Sequence, residues 1–538
     1  MNRHVNQATL PSRLMSKVWR FVRQENLQRG VDAALLPLSL FLAFGSALVV
    51  SYGHSDDYSV LFLKQIGWEQ MNIDWFLASG RPILGFLIDW LLDWVDSVDG
   101  LARLRTVGFL LLLWLGWEIR RLLLNSRLPR HEATFLASAC VLTPSAAVFV
   151  GWAVTSASML AGIVALLAYR TAERAWRDWG AHREENMGKV RVVAWLGLAA
   201  AALLSAFLIY QPLAPLFLLA ALLRFAFDQE AERPQRRLLA MLAGYIIVMA
   251  VYLAIYKMFI VPALAGNPAL ERGGLDHSAM AAAKHLIKTL PMLWGGWEFF
   301  LSGIHPEGLP RQVRLTVTML AVALLLPVGL WHIAGKRGGG VMRRISAIFL
   351  VLLVWLVSLL PMLILKEHYL PTRTLFFSYA ALCLLIYLAF KALTKDHIWP
   401  RWTTMGVLFL LAAQAGLGFW DGIVRIQRQE FAVLRNAINA MPERPKKLVF
   451  IQPDHSLAPD HQLRTYYEYY IYSSDHDWVP NPIVNLIWNQ REGIGMGHAD
   501  GARLVYTEVE RIRPGQLLPI KYDAVLDTQL LLCGVPGR

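Results

Sequence analysis

Two adjacent carboxylates, Asp56 and Asp57, follow directly after the first long apolar run of the chain, residues 33–50. Ionised groups are costly to remove from water, so carboxylates at a membrane edge are expected to face a wet cavity and to have a function. Partial burial raises a carboxyl pKa towards neutrality, which suits proton abstraction. We therefore predict that at least one of them is a catalytic general base. The alternative is that one caps a helix beginning near Tyr58.

Four basic residues are candidates for binding a phosphate group. Guanidinium groups make bidentate contacts with phosphate oxygens, and Lys supplies a point charge. The alternative is that these side chains extend to lipid headgroups, as basic residues at the ends of spans often do. The candidates are Arg81, Arg272, Lys366 and Arg373.

Further polar residues near these positions are predicted to contact a substrate. Their spacing matches no metal-ligand motif, so we predict neither a metal ion nor another cofactor. The Gly338–Gly340 run lacks the Lys-Ser/Thr pair of a nucleotide-binding loop, which argues against ATP or a soluble nucleotide donor. The candidate substrate-binding residues are His54, Tyr58, Tyr210, Gln211, Glu367, His368 and Tyr369.

Composition places these residues in a multi-span membrane protein. Of 538 residues, 56% are hydrophobic and 17% are charged, with a mean hydropathy of +0.41. The net charge of +13 suggests nucleic acid for a soluble chain. Here many Lys and Arg residues fall in short loops, where orientation and anionic lipids explain them, so no nucleic acid partner is predicted. With three cysteines, two of them inside apolar runs, we expect no disulfide framework.

The apolar runs predict about eleven transmembrane helices. Basic clusters follow the even-numbered spans, so the N-terminal side is predicted to be cytoplasmic. The first loop, the 257–313 loop, the 366–373 loop and the tail then lie outside, together with all the candidate site residues. The predicted spans are 33–51, 104–124, 133–149, 152–169, 192–210, 212–227, 237–256, 315–334, 344–365, 374–392 and 402–420.

The predicted fold is an α-helical polytopic membrane protein with amphipathic helices in its first external loop and a small C-terminal α/β domain. Residues 83–95, preceded by Pro82, predict one such helix. In the tail, residues 464–472 predict a helix facing the membrane, and three segments predict strands: 448–451, 504–509 and 524–526. The predicted domains are a cytoplasmic basic amphipathic segment (1–30), a transmembrane domain (31–420) with external loops 53–103, 257–313 and 366–373, and an external domain (421–538).

The chain resembles membrane glycosyltransferases of the GT-C superfamily over residues 30–420. These enzymes have many spans and an acidic pair in a first external loop that contains surface helices. Within the superfamily, the chain is similar to bacterial Gtr-type glucosyltransferases that modify O-antigen. The similarity lies in residues 54–58, Ser79 to Pro82, Tyr210-Gln211 and residues 371–375.

The resemblance implies a sugar donor carried on polyprenyl phosphate, used on the periplasmic side of a bacterial inner membrane. Nucleotide sugars and ATP are cytoplasmic, so a lipid-borne donor suits a site that faces outward. Its phosphate monoester leaving group needs only two or three basic side chains, and no divalent ion. The expected reaction is an inverting transfer to a hydroxyl group of a periplasmic glycan or O-antigen, with membrane lipids as the other partners.

Three alternatives remain open from the sequence. The acceptor would be a protein such as a pilin, or the sugar would be a pentose such as arabinofuranose. From another class, the chain would be a transporter or flippase of lipid or polysaccharide. Transporters favour broken helices and polar groups near the middle of the membrane, whereas the polar groups here cluster at the predicted outer edge.

Overall fold

The computed structural model describes most of the chain, and most of the described residues lie in helices. Five candidate residues lie outside the described part, and their predicted roles stay predictions: Arg272, Lys366, Glu367, His368 and Tyr369. The described ranges are 28–181, 186–228, 233–267, 311–336, 340–363, 371–454, 468–494, 506–519 and 521–533, with a few isolated positions between 270 and 293.

Long helices form the body of the protein. A π-helical turn, Tyr256–Ile260, extends the helix Pro234–Ile255 into Val261–Ala263. Another, Trp420–Val424, joins the helices Arg401–Phe419 and Arg425–Asn439. The helices whose bounds the structure gives are α1 (residues 28–44), α2 (Ser46–Val49), α3 (Asp56–Gln65), α4 (Glu69–Ala78), α5 (Pro82–Leu92), α6 (Leu101–Asn125), α7 (Arg130–Val141), α8 (Pro144–Gly151), α9 (Met159–Ala181), α10 (Asn186–Tyr210), α11 (Leu216–Phe227), α12 (Pro234–Ile255), α13 (Arg311–Gly335), α14 (Val341–Leu363), α15 (Phe376–Leu393), α16 (Arg401–Phe419), α17 (Arg425–Asn439), α18 (Pro480–Arg491) and α19 (Thr528–Cys533).

Within the described ranges, six helices are long and apolar enough to cross a membrane, or up to seven if one bent pair counts as a single span. The chain is thus built like a multi-pass membrane protein, while the number eleven stays a prediction. The six are Ala153–Trp179, Lys189–Leu213, Pro234–Ala263, Val341–Leu363, Thr372–Leu393 and Arg401–Asn439.

The predicted span 133–149 consists of two helices, α7 and α8, bent by 64°. Pro144 is the first residue of α8 and cannot donate a hydrogen bond back into α7. The Thr143 side chain instead accepts a hydrogen bond from the Ala146 amide and caps the new helix. Beyond the break, Ser145 of α8 donates a hydrogen bond to the Thr372 carbonyl, next to the candidate residue Arg373.

The first predicted external loop forms three short helices, α3, α4 and α5. Pro82 begins α5, as expected, and the helix ends at Leu92, slightly before the predicted end. Its outer side carries Trp90 and the following turn carries Trp94, both more than half exposed, which is typical of residues at a membrane interface.

The tail contains a three-stranded parallel sheet in which β1 (Lys447–Ile451) lies between β2 (Glu508–Ile512) and β3 (Ala524–Asp527). Of the predicted strand 504–509, residues 504 and 505 lie outside the described part, and β2 begins at Glu508, which pairs with Lys447. The predicted helix over 464–472 is wrong for residues 468–472, which are not helical. Tyr469 and Tyr470 are buried there, and Tyr470 has a φ of 53°.

The tail packs directly on the loop that contains α3, α4 and α5. The Asn489 side chain donates to Gln65 of α3 at 3.1 Å, and Ser59 donates to the Trp478 carbonyl at 3.2 Å. One hydrophobic cluster includes Tyr58 from the loop and Trp488 from the tail. The tail therefore covers the loop that carries the acidic pair.

Reporter fusions test the predicted orientation. Alkaline phosphatase folds only outside the cytoplasm, so a fusion after residue 440 is expected to be active and a fusion after residue 178 inactive. Cytoplasmic green fluorescent protein at the same positions should give the opposite pattern. An inactive phosphatase after residue 440 would place Asp56 on the cytoplasmic side and contradict the assignment.

Candidate active site

Four of the predicted site regions meet around one narrow cavity between the first loop and the membrane helices. Asp56, Arg81, Tyr210 and Arg373 all line it, although they lie up to 317 positions apart in the sequence. The remaining lining residues are Val60, Asn72, Trp75, Phe76, Ser79, Leu84, Val154, Thr155 and Ser158.

Asp56 is the carboxylate that reaches this cavity. It is the first residue of α3, and its side chain is partly exposed. The Trp478 indole Nε1–H of the tail donates to its Oδ1 at 2.9 Å. A hydrogen bond of this kind holds the carboxylate in place beside the cavity. Asp56 is thus placed to take a proton from a molecule in the cavity.

Asp57 is fully buried. Its Oδ2 accepts from the backbone N–H groups of His54 (2.9 Å) and Ala153 (3.2 Å), and its Oδ1 accepts from Val154 (2.8 Å). Ala153 begins the long helix Ala153–Trp179, so Asp57 satisfies the amides and the positive dipole at that helix N-terminus. Asp57 does not line the cavity and ties the loop to this helix.

The charge on Asp57 reflects opposing effects. Burial raises the pKa of Asp57 to about 7, while the three backbone donors and the Arg105 guanidinium oppose the shift. A pKa near 7 would suit a general base. The position of Asp57 does not suit this role, because Asp56 and not Asp57 lines the cavity.

We expect Asp57→Ala to lower stability rather than to act on chemistry directly. The change leaves three buried N–H groups without their acceptor, at a cost of about 1–3 kcal/mol for each one that finds no water. Membrane abundance and the midpoint of thermal unfolding in detergent should fall. The matched variant Asp56→Ala should unfold close to the wild-type temperature. Equal stability of the two variants would contradict the assigned roles.

Arg105 fixes the chain segment that enters the site. It is fully buried, and its guanidinium donates to the carbonyls of Ala47 (2.8 Å), Val50 (2.6 Å) and Tyr52 (2.7 Å). These carbonyls lie where α2 ends and the extended loop begins. A single side chain therefore satisfies several backbone acceptors that the end of the helix leaves without partners.

Arg81 is held by Tyr210 and Gln211, which the sequence predicts on the same side of the membrane. Its Nε donates to Gln211 at 3.1 Å, and its guanidinium lies 4.5 Å from the centre of the Tyr210 ring. The Gln211 amide also reaches the carbonyls of Ser79 and Gly80. Gly80 has a φ of +72°, and a Cβ there would collide with a tyrosine hydroxyl, which explains the glycine before Arg81.

Arg373 is held by a residue of the tail. Its guanidinium donates to Glu468 at 2.9 Å, and its backbone N–H contacts the same carboxylate. The guanidinium also lies 4.5 Å from the Trp152 ring centre. Burial raises the pKa of Glu468, and the charge of Arg373 opposes this shift. The ion pair holds the Arg373 guanidinium beside the cavity.

Three buried polar atoms on the cavity wall find no hydrogen-bond partner among the residues that the structure describes. They are Asn72 Oδ1, Ser158 Oγ and the Tyr210 hydroxyl. Buried polar atoms are normally paired, so such a group calls for an explanation. One acceptor and two hydroxyl groups facing a common cavity suit a ligand that is itself rich in hydroxyl groups.

His54 and Tyr58 lie behind the cavity wall and do not line it. The His54 ring contacts the Glu468 carbonyl at 3.1 Å, and burial lowers its pKa to about 4, so the ring is neutral near pH 7. The Tyr58 hydroxyl accepts from the Gly53 amide at 3.2 Å. Both residues, like the buried Gln211, position the loop in this geometry.

Sequence reasoning missed the contributions of the tail, Glu468 and Trp478, because a separate external domain was predicted there. It also missed Trp152 and Asn72, which carry no motif. Among the described residues, no group of three or more His, Cys, Asp or Glu side chains is placed to hold a metal ion.

No protein-family model and no curated protein matches the sequence. Among solved structures, the chain is similar to the archaeal oligosaccharyltransferase AglB from Archaeoglobus fulgidus in complex with an inhibitory peptide and a dolichol-phosphate. The identity is 12% and the TM-score 0.35, over 78% of this chain and 59% of that one.

Two further structures of the Archaeoglobus fulgidus oligosaccharyltransferase give comparable values. For the complex with Zn and sulfate, the identity is 13% and the TM-score 0.39, over 77% of this chain and 55% of that one. For the apo form, the identity is 13% and the TM-score 0.37, over 78% of this chain and 62% of that one. The chain thus spans less than two thirds of these proteins, and similarity at this level assigns no activity.

Proposed function

We propose that the chain is a membrane glycosyltransferase of the GT-C type that uses a polyprenyl-phosphate-linked sugar. The observation that supports this best is the convergence of Asp56, Arg81 and Arg373 on one cavity. A carboxylate and two guanidinium groups are what proton removal and departure of a phosphate require. The unpaired polar atoms of the same cavity suit the hydroxyl groups of a sugar.

In the proposed reaction, the Asp56 carboxylate takes the proton of an acceptor hydroxyl group. The acceptor oxygen attacks the anomeric carbon of the donor sugar as the bond from this carbon to the phosphate oxygen breaks. The leaving polyprenyl phosphate carries the bonding electrons away, and Arg81 and Arg373 stabilise its negative charge. Attack on the face opposite the phosphate inverts the anomeric configuration.

The guanidinium groups are suited to this task because they are already held in place. Arg81 lies between Tyr210 and Gln211, and Arg373 lies between Trp152 and Glu468. Donors fixed before the reaction need little reorganisation as charge develops. Lys366 and Arg272, which lie outside the described residues, would add positive charge.

The tail has a positioning role in this proposal. Trp478 holds Asp56, and Glu468 holds Arg373. The base and one phosphate-binding residue would therefore both depend on residues far along the chain. We assign the site to the periplasmic side of a bacterial inner membrane, with a glycan such as O-antigen as the acceptor.

A reconstituted assay separates this function from transport. The purified full chain in liposomes receives a labelled polyprenyl-phosphate sugar and an envelope glycan extract. We expect the label to move to the glycan, with release of free polyprenyl phosphate. A flippase would instead move the labelled lipid between leaflets with its sugar–phosphate bond intact. That result, or no cleavage with any hexose or pentose donor, would overturn the proposal.

A further inference from the structure

A large cleft lies at the end of the helices opposite to Asp56. At one end of α6, the charge of Arg105 opposes the rise in the pKa of Asp57. At the other end, Asn125 lines the cleft. These two residues are 20 positions apart, or roughly 30 Å along an α-helix. The volume of the cleft is about 820 Å³. It is therefore separate from the proposed transferase site and belongs to the side predicted to be cytoplasmic.

Among the residues that the structure describes, positive charge dominates the wall of this cleft. Three lining carboxylates, Glu132, Asp228 and Asp396, face twice as many lining cations. Glu173, which pairs with two of the cations, adds one more negative charge and leaves the cations in excess. The six cations are Arg127, Arg177, Arg224, Arg237, Lys336 and Lys391.

Ion pairs hold several of these cations in fixed positions. Arg224 and Arg237 both contact Glu173 and Asp228. Lys391 lies 3.1 Å from Glu132. Cations fixed in this way form a defined wall. A basic cleft between membrane helices on the cytoplasmic side favours an anionic headgroup.

An apolar groove of about 440 Å³ adjoins the cleft. Trp176 lines both, so the two spaces meet at this side chain. The groove runs between α9, α10 and α12. Val193 and Leu196, which line it, are more than half exposed and would otherwise face the hydrocarbon of the membrane.

We propose that the cleft and the groove together bind one anionic glycerophospholipid of that leaflet. The headgroup phosphate would occupy the basic cleft, and an acyl chain would lie in the groove. A cation-rich space joined to an apolar one matches both parts of such a molecule. A soluble anion would leave the groove unexplained, and a zwitterionic lipid would leave the excess of cations unexplained.

Two groups of variants test the two halves of the site. Arg127→Gln combined with Arg177→Gln removes two positive charges from the cleft. Gly244→Leu fills the groove, because a Cβ at Gly244 meets no atom within 4 Å and the fold has room for it. Gly406→Leu is the matched control, since Gly406 has the same open surroundings on α16 and does not line the groove.

The experiment measures lipid binding to the full-length protein in detergent by native mass spectrometry and thermal stabilisation. The probes are phosphatidylglycerol, phosphatidylcholine and inorganic phosphate. We expect phosphatidylglycerol to bind and stabilise the wild-type chain more strongly than the other two. The arginine pair and Gly244→Leu should each weaken its binding roughly tenfold, and Gly406→Leu should not.

Several results would overturn the assignment. Equal binding of the two lipids would exclude a headgroup site. Stabilisation by inorganic phosphate alone would indicate a soluble anion. Wild-type affinity in either the arginine pair or Gly244→Leu would exclude the corresponding half of the site. None of these readouts depends on sugar transfer, so the lipid site and the proposed transferase function succeed or fail independently.

Discussion

Replacing Asp56 with Asn is expected to lower sugar transfer by about 2–4 orders of magnitude, the usual contribution of a general base. Asn keeps the size of the side chain and an acceptor oxygen for the Trp478 indole, but it cannot take a proton from an acceptor hydroxyl group. Membrane abundance and thermal stability should remain near wild type. Transfer from a polyprenyl-phosphate sugar by the reconstituted variant measures the effect.

Asp93→Asn is the matched control for this variant. Asp93 lies in the same loop, pairs with Lys64 at 2.9 Å and is about half exposed. Lys64 keeps its ion pair with Asp89 in this variant, and Asp93 does not line the cavity, so transfer should be unchanged. If Asp56→Asn kept full activity, the base would lie elsewhere, and Asp57 would be the next carboxylate to test.

Arg81→Lys and Arg373→Lys are each expected to slow transfer roughly tenfold to hundredfold. Lys keeps the positive charge but loses the planar pair of donors that a phosphate group accepts from Arg. A lost charge-assisted contact of about 1.5–3 kcal/mol corresponds to this change in rate. The measurement is donor-dependent transfer, with and without EDTA, in reconstituted membranes.

Arg103→Lys serves as the control, since Arg103 is exposed and donates to the Trp94 carbonyl away from the cavity. Lys variants as active as wild type would return Arg81 and Arg373 to a purely structural role. Loss of wild-type activity in EDTA, restored by Mg²⁺ or Mn²⁺, would contradict a mechanism in which arginines alone stabilise the leaving phosphate.

The grouping of the site residues could be predicted because the distribution of Lys and Arg residues predicts which loops lie on the same side of the membrane. Basic clusters after alternate spans put residues 56, 81, 210 and 373 on one side, and the structure brings all four to one cavity. The start of α5 could also be predicted, since Pro82 is favoured in a first helical turn.

The division between Asp56 and Asp57 could not be predicted. The two residues are adjacent and chemically identical, and what separates them is the position of the Ala153 and Val154 amides almost a hundred residues later. The contacts of Glu468 and Trp478 could not be predicted either, because they join residues far apart in the sequence and depend on how the tail packs.

Residues 143–144 indicate the bend between α7 and α8, but the high hydropathy of the whole segment favours the prediction of a single span. Thr143-Pro144 has the character of a helix start, with a capping hydroxyl followed by proline. The surrounding apolar residues nevertheless predict one continuous span over 133–149. Hydropathy reports burial in apolar surroundings, and it does not distinguish a straight helix from two bent ones.

The most direct test is a structure of the full chain in lipid nanodiscs with bound polyprenyl phosphate, the leaving group of the proposed reaction. We expect its phosphate oxygens about 2.7–2.9 Å from the guanidinium groups of Arg81 and Arg373, next to Asp56. A phosphate bound away from this cavity, for instance near Trp176 at the opposite end, would contradict the proposed active site.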